Sequence, residues 1–376
     1  MQRRHWTAFI VSACLVTACM DGPTDATPSE PPAAEGTPPS GREQALEHGP
    51  DWTLETDTKL TSLALDRALS FLVYGAAGRE RALYASWDLG DHWLRGPVLG
   101  DARDPTPDPL PADVVQDPDG GGSAYASSFS TLYRTQSAGL AWRVIGAAPK
   151  LLAVTPGGDV LWGTDAGTLQ KSIDRGRTWT AIAFPGESCC SEVVASSVQD
   201  VYVRTERGLL RSLDGGATWT PRTPPDLRNL ATVAVDARDP RVVYTVSEDI
   251  APFGGLRKSI DGGATWFPPS PAFAAEPVNW VAVSPVDGRV YLSAVERDAA
   301  GENRARHVHV SQDGAATFVL AERGLEGDYL SRIFVHPSRR CVAFVIATRG
   351  LYRTLNAGGT CAPTTPPAAP TRPPPG

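Results

Sequence analysis

The sequence predicts an all-β fold: a seven-bladed β-propeller of four-stranded antiparallel blades, closed by a strand from the N-terminal side. Three observations predict it. One octapeptide recurs seven times at blade-sized intervals, starting 37 to 52 residues apart. Short runs of β-branched and aromatic residues surround each copy, separated by Asp, Pro and Gly turns. The 376-residue chain holds 34 Pro and 36 Gly beside 41% hydrophobic residues, a balance that suits many short strands better than helices.

The octapeptide, called the box below, is clearest in Ser172–Trp179, Ser212–Trp219 and Ser259–Trp266, each reading Ser-x-Asp-x-Gly-x-Thr-Trp. Ser86–Trp93 and Thr135–Trp142 are looser copies. Ser311–Phe318 and Thr354–Cys361 have decayed further, with Phe and Cys in the Trp place and Asn356 in the Asp place. The Asp side chain can accept amide hydrogen bonds from its own tight turn, and the Gly reaches backbone angles closed to other residues. The Trp opens the outgoing strand and packs between neighbouring sheets. Asp88, Asp174, Asp214, Asp261 and Asp313, with Trp93, Trp142, Trp179, Trp219 and Trp266, are therefore read as structural.

Around the fifth box the strands read as Thr232–Val235, Val242–Val246, Leu256–Ser259 and Thr265–Phe267. Leu152–Val154, Trp280–Val283 and Ile333–Val335 are continuously apolar, as innermost strands lining a central channel should be. After the seventh box comes Ala362-Pro363-Thr364, so that blade has no outer strand of its own. Asp51-Trp52-Thr53 resembles Thr218-Trp219-Thr220, and the segment Pro50–Thr56 is expected to complete blade seven and lock the ring.

Met1–His5 is basic and Trp6–Ala18 apolar but too short to span a bilayer comfortably, which marks residues 1–18 as a secretory signal. Val16-Thr17-Ala18-Cys19 resembles the bacterial lipobox. That resemblance implies a mature N-terminus at a lipidated Cys19, and Met20 rather than Asp after it points to the outer membrane. Residues 19–49, rich in Pro, Ala, Glu, Thr and Gly, are expected to be a disordered linker. Residues 50–361 are expected to form the propeller and 362–376 a Pro-rich tail.

The box resembles the Asp box of the BNR repeat, shared by sialidases, sortilin-type receptors, photosystem assembly factors and several glycoside hydrolases. The resemblance implies that the boxes lie away from the ligand face. Sialidases also carry an Arg-Ile-Pro type motif in the first blade, whereas Arg67 here is followed by Ala68-Leu69-Ser70 and fits a turn. Xyloglucan hydrolases of this repeat type place their cleft between two propellers. No catalytic residue is assigned. The expected function is a membrane-tethered recognition module for a protein or peptide of the cell envelope, the alternative being a glycan-binding protein or sialidase-like glycoside hydrolase.

The formal charge is -7, from 35 basic and 42 acidic residues, with no long run of Lys or Arg in the mature region. Nucleic acid is excluded as a natural partner on that ground. A monomer tethered to the membrane by lipid alone is expected. In a propeller the ligand face is built by loops joining blades and loops between second and third strands. Two of the latter are long, Ser247–Gly254 and Glu296–Arg306, and Gly100–Pro111 is expected to join them. Glu248, Asp249, Glu296, Arg297, Asp298, Glu302, Arg304 and Arg306 are the candidate binding residues.

Four cysteines remain beyond the leader and the lipid site. Cys341 and Cys361 fall in one blade and are candidates for a disulfide, while Cys189-Cys190 are adjacent in a loop, where a vicinal bridge is one option. His307 and His309 alternate onto one strand face, an arrangement that can bind metal, but no third ligand is evident. No metal or cofactor is expected.

Overall fold

The computed structural model describes residues 51–361 except 79, 81, 99–112, 119–120, 129–130, 148, 166, 184–189, 250–252, 298–302 and 327. Within them the chain folds into seven antiparallel sheets whose innermost strands neighbour one another in chain order, forming a seven-bladed propeller. Blade one comprises Ser62–Leu65, Val73–Ala77, Ala82–Ser86 and Leu94–Val98. Blade two comprises Asp113–Gln116, Ala124–Ser127, Thr131–Thr135 and Arg143–Ala147. Blade three follows with Lys150–Val154, Leu161–Asp165, Thr168–Ser172 and Thr180–Ile182, and blade four with Cys190–Ala195, Val201–Thr205, Gly208–Ser212 and Thr220–Pro221.

Blade five has three strands, Leu230–Val235, Val243–Ser247 and Gly255–Ser259. Its expected outer strand is reduced to a single bridge between Phe267 and Lys258. Pro268 and Pro269 follow, and neither has an N–H to extend the ladder. Blade six is Val278–Val283, Val290–Arg297, Asn303–Ser311 and Val319–Leu320. Blade seven joins Leu330–Val335, Ala343–Ala347 and Leu351–Thr354 to Thr53–Thr56 from the N-terminal side, which supplies its outer strand.

Inner and second strands are buried because other blades cover both of their faces, whereas outer strands leave residues such as Leu94 and Val319 exposed. Each inner strand is followed directly by a buried polar residue: Asp66, Asp117, Thr155, Ser196, Asp236, Ser284 or His336. Several of these cap the following turn. Asp66 Oδ1 accepts the amides of Ala68 and Leu69, and His336 Nδ1 those of Ser338 and Arg339. Burial would leave those amides without water, so the cap satisfies them.

The boxes share one hydrogen-bond pattern. In the fifth, Ser259 Oγ donates to Asp261 Oδ1 at 2.8 Å and accepts the Gly263 amide at 2.7 Å. Asp261 then accepts the Thr265 amide at 2.9 Å and the Thr265 hydroxyl at 2.6 Å. Blades three, four and six repeat these bonds around Asp174, Asp214 and Asp313. In blade one His92 stands in the Thr place and its ring meets Asp88.

A second repeated device ties blade to blade. A basic residue just before the box lies directly opposite an aromatic residue of the second strand: Arg134 opposite Tyr125, Lys171 opposite Trp162, Arg211 opposite Tyr202 and Lys258 opposite Tyr244. In each pair the cation lies 4.9 to 5.3 Å from the ring centroid. Lys171, Arg211 and Lys258 then reach into the next blade's box, donating to the carbonyls of Gly215, Gly262 and Gly314. Arg353 makes the equivalent bond from blade seven to Leu89 of blade one at 3.0 Å, and also meets Glu55 and Asp91.

The N-terminal strand replaces what the seventh box has lost. Trp52, fully buried, donates from Nε1 to the Ala321 carbonyl at 2.8 Å. Trp266 makes the same bond to the Arg222 carbonyl at 2.9 Å, each acceptor standing three residues after the preceding box's aromatic residue. Cys361, in the vacated Trp position, is instead disulfide-bonded to Cys341, with Cα atoms 6.1 Å apart.

Candidate binding site at the channel mouth

The two faces of the ring differ. The boxes occupy one face with the turns between first and second strands. The opposite face carries the second-to-third-strand hairpins, the connections between blades and the entrance to the central channel. Inner strands begin at that entrance, and the residue four places before each buried cap forms a ring around it: Ser62, Asp113, Leu151, Glu192, Thr232, Trp280 and Arg332. All seven, together with Lys150 and Arg204, line a cavity of about 210 Å³. Its deeper wall is apolar, from Val115, Val194, Val235, Val283 and Val335.

Neighbouring blades interlock at this level. Ser62 Oγ accepts the Val114 amide, Glu192 Oε2 accepts the Val233 amide at 3.2 Å, and Trp280 Nε1 donates to the Ile333 carbonyl at 2.9 Å. Glu192 also accepts from Arg204 Nε at 3.0 Å and the Thr232 hydroxyl at 2.9 Å. On the other side Asp113 sits between two cations, Lys150 at 3.1 Å and Arg332 at 3.4 Å. Because Ser62 of blade one is small, Arg332 of blade seven can pass over it to blade two. The Arg332 guanidinium also lies 5.7 Å from the centre of the Trp280 ring.

The Arg332 and Lys150 side chains are 39% and 34% exposed, whereas Asp113 is largely covered at 16%. One carboxylate shared by two cations leaves net positive charge facing solvent, beside an aromatic ring, over an apolar wall. Such a mouth suits an anionic or hydrogen-bond-accepting segment whose apolar part enters the channel.

The candidate loop residues are arranged differently from expectation. Glu296–Arg306 is not an open loop: Glu296 pairs with Ala305 and Arg297 with Asn303, so a long β-hairpin reaches out and only 298–302 intervene. Val290, Leu292 and Ala294 alternate along one strand and are buried on one face of the sheet, while Val308 and Val310, paired with Ser293 and Tyr291, are buried on the other, and this two-sided burial favours that extension. Asp298 and Glu302 lie outside the described residues, as do Cys19, Cys189 and Gly100–Pro111; Arg304 lies on the hairpin's second strand. Arg306 bonds the Leu330 carbonyl at 2.9 Å, pairs with Glu248 at 3.4 Å and lies 4.2 Å over the Tyr329 ring. Asp249 accepts the Asn229 side-chain amide at 3.1 Å. These groups brace the loops of blades five to seven against one another.

His307 and His309 also part company. His307 lies between Glu322 at 2.5 Å and Glu296 at 3.1 Å, whose carboxylates raise its pKa against the opposing effect of burial. His309 is pushed down by burial and packs edge-on against Phe273, 5.0 Å between centroids. Among the described residues no group of His, Cys, Asp or Glu is placed to hold a metal ion.

Sequence reading missed the mouth residues, although a signal was present. Aligning the repeats on the polar residue that follows each inner strand, rather than on the box alone, brings Asp113, Glu192, Trp280 and Arg332 into one column of otherwise apolar strands.

No protein-family model and no curated protein matches the sequence. Solved structures do resemble it. YCF48 from Cyanidioschyzon merolae is 14% identical, with a TM-score of 0.58 over 81% of this chain and 98% of that one. A structure of YCF48 bound to D1 peptide is 16% identical, with the same TM-score over 82% and 98%. The GH74 xyloglucanase from Xanthomonas campestris is 18% identical, with a TM-score of 0.60 over 80% of this chain but 53% of its own length. At these identities the likeness establishes the propeller fold alone.

Proposed function

We propose that this chain is a lipid-anchored recognition module of the Asp-box type, exported by residues 1–18, tethered through Cys19 and binding a protein or peptide segment of the cell envelope, at the outer membrane, through its channel mouth. The observation that carries this reading is Asp113 held between Lys150 and Arg332 beside Trp280, which leaves exposed cations over an apolar channel. The fold of YCF48, solved with a peptide bound, supports a peptide-sized ligand on such a scaffold. The glycan or hydrolase alternative draws on the likeness to GH74 xyloglucanase, but this chain matches only about half of that enzyme's length. The two mouth carboxylates, Asp113 and Glu192, are both engaged by cations here.

A crosslinked affinity pull-down of the full lipoprotein from its own envelope tests the proposal, beside a Lys150→Glu/Arg332→Glu variant and a variant with residues 298–302 shortened. A protein enriched by the wild type and lost in the mouth variant is the expected result. Retention of every enriched protein by the mouth variant would overturn the mouth as the site; retention by that variant with loss in the hairpin variant would move the site to blade six.

A further inference from the structure

The box face carries a row of exposed aliphatic side chains. Ile173, Leu213 and Ile260 hold the second box position in blades three, four and five, and are 72%, 61% and 58% exposed. They cannot turn inward, because the flanking Ser and Asp side chains are bonded to each other and hold the turn. Nor does the fold need apolar residues there, since Gln136 and Gln312 occupy the same position in blades two and six. Val198 and Val286, in the inner turns of blades four and six, extend the arc on the same face. Exposed apolar side chains repeated on one face of the ring are a feature of contact surfaces.

The point of chain entry indicates what covers it. Asp51 is bonded to Asn356 of the seventh box at 2.8 Å, and the strand from Thr53, opposite Arg353, to Thr56, opposite Leu351, runs from the box face toward the mouth. The described chain therefore begins at the box face, 32 residues after Cys19. We infer that this face docks on the phospholipid surface, with Ile173, Leu213 and Ile260 contacting the interface and the channel mouth turned away from it. This inference rests on the lipidation of Cys19 proposed above. The tether holds the domain at high effective concentration near the bilayer, so three shallow aliphatic contacts suffice where they would not for an untethered protein. The orientation also leaves the mouth open to a partner approaching from the aqueous side.

The test uses the full lipoprotein, reconstituted in vesicles of phosphatidylethanolamine and phosphatidylglycerol, with a photoreactive residue placed at Leu213 or, as a control on the mouth face, at Arg228. Lipid adducts are read by mass spectrometry and the acylation of Cys19 by the mass of the N-terminal peptide. The expected result is about tenfold more lipid adduct from position 213 than from 228, falling to the 228 level when Ile173 and Ile260 are changed to Glu. Equal adducts from both positions, with Cys19 acylated, would overturn the docking and leave the tether standing. An unacylated Cys19 would overturn both.

Discussion

The Asn356 side-chain amide donates to the Asp51 carboxylate at 2.8 Å, with donor and acceptor exchanged relative to the fifth box, where the Thr265 hydroxyl donates to Asp261 at 2.6 Å. Asp51 holds the position before Trp52 that Thr265 holds before Trp266. The substitution that made the seventh box look decayed is thus complementary to a partner some three hundred residues earlier. An Asp at 356 would place two carboxylates in contact. Asn356→Asp is expected to lower stability by about 1–3 kcal/mol, through the lost charged hydrogen bond and the new repulsion. Adding Asp51→Thr restores the arrangement of the other boxes and should recover part of the loss, the remainder reflecting the Asp51–Arg323 ion pair at 3.0 Å. A double-mutant cycle by urea denaturation checks this; additive losses would contradict it.

Trp52 should matter as much as any box tryptophan although it lies outside every box. It is 1% exposed and packs with Tyr291, Val310 and Ala343. Trp52→Ala is expected to cost about 3–5 kcal/mol. Trp52→Phe, keeping most of the packing and losing the bond to Ala321, should cost about 1 kcal/mol of hydrogen bond plus a small packing loss. Thermal unfolding of the two variants separates the contributions.

Removing the Cys341–Cys361 bridge should loosen the same blade. The cysteines are 20 residues apart. The chain-entropy account gives about 3 kcal/mol for a loop of this size. Cys341→Ser/Cys361→Ser, compared with wild type under oxidising and reducing conditions, is expected to lose stability only relative to the oxidised protein.

Acid should weaken the ring in two stages. His336 is fully buried, and burial pushes its pKa down to about 3, aided by the nearby Arg339 cation. Its folded value lies below the unfolded one, so its contribution is present above about pH 6.5 and is lost as pH falls toward 3. The box aspartates Asp174, Asp214, Asp261 and Asp313 are held at about 2, first by their Thr hydroxyls. Their contribution is present above about pH 4 and is lost as pH falls through 2. His307, raised by its two glutamates, acts oppositely: its contribution is full below the unfolded value and is lost as pH rises through the folded one. Urea midpoints from pH 8 to pH 2.5 should fall toward acid, and His336→Asn, whose side-chain oxygen can still accept the turn amides, should flatten the limb between pH 6.5 and 4.

The fold was legible because its determinants are local and repeated. A box closes its own turn through residues two to four apart, so Ser259, Asp261, Gly263 and Thr265 announce themselves in the sequence. The borrowed outer strand was legible from Asp51-Trp52-Thr53 because its Trp satisfies a repeated packing position. The missing ladder of blade five could have been foreseen from Pro268-Pro269. The mouth was harder. Asp113 and Arg332 are more than two hundred residues apart and meet only after the ring closes, and the small Ser62 between them is informative only once the blades are aligned. Charge in a long segment pointed to Glu296–Arg306, but strand pairing there turned loop into hairpin and Arg306 into a brace for Glu248 and Leu330.

Recognition at the mouth is tested by photo-crosslinking in the native envelope, with a photoreactive residue at Trp280 or, separately, on the box face at Leu213 of the full chain. The expected result is a discrete protein adduct from position 280, weakened by Arg332→Glu, and none of that mass from position 213. The same protein adduct from both positions, or one from 213 alone, would contradict a recognition site at the mouth.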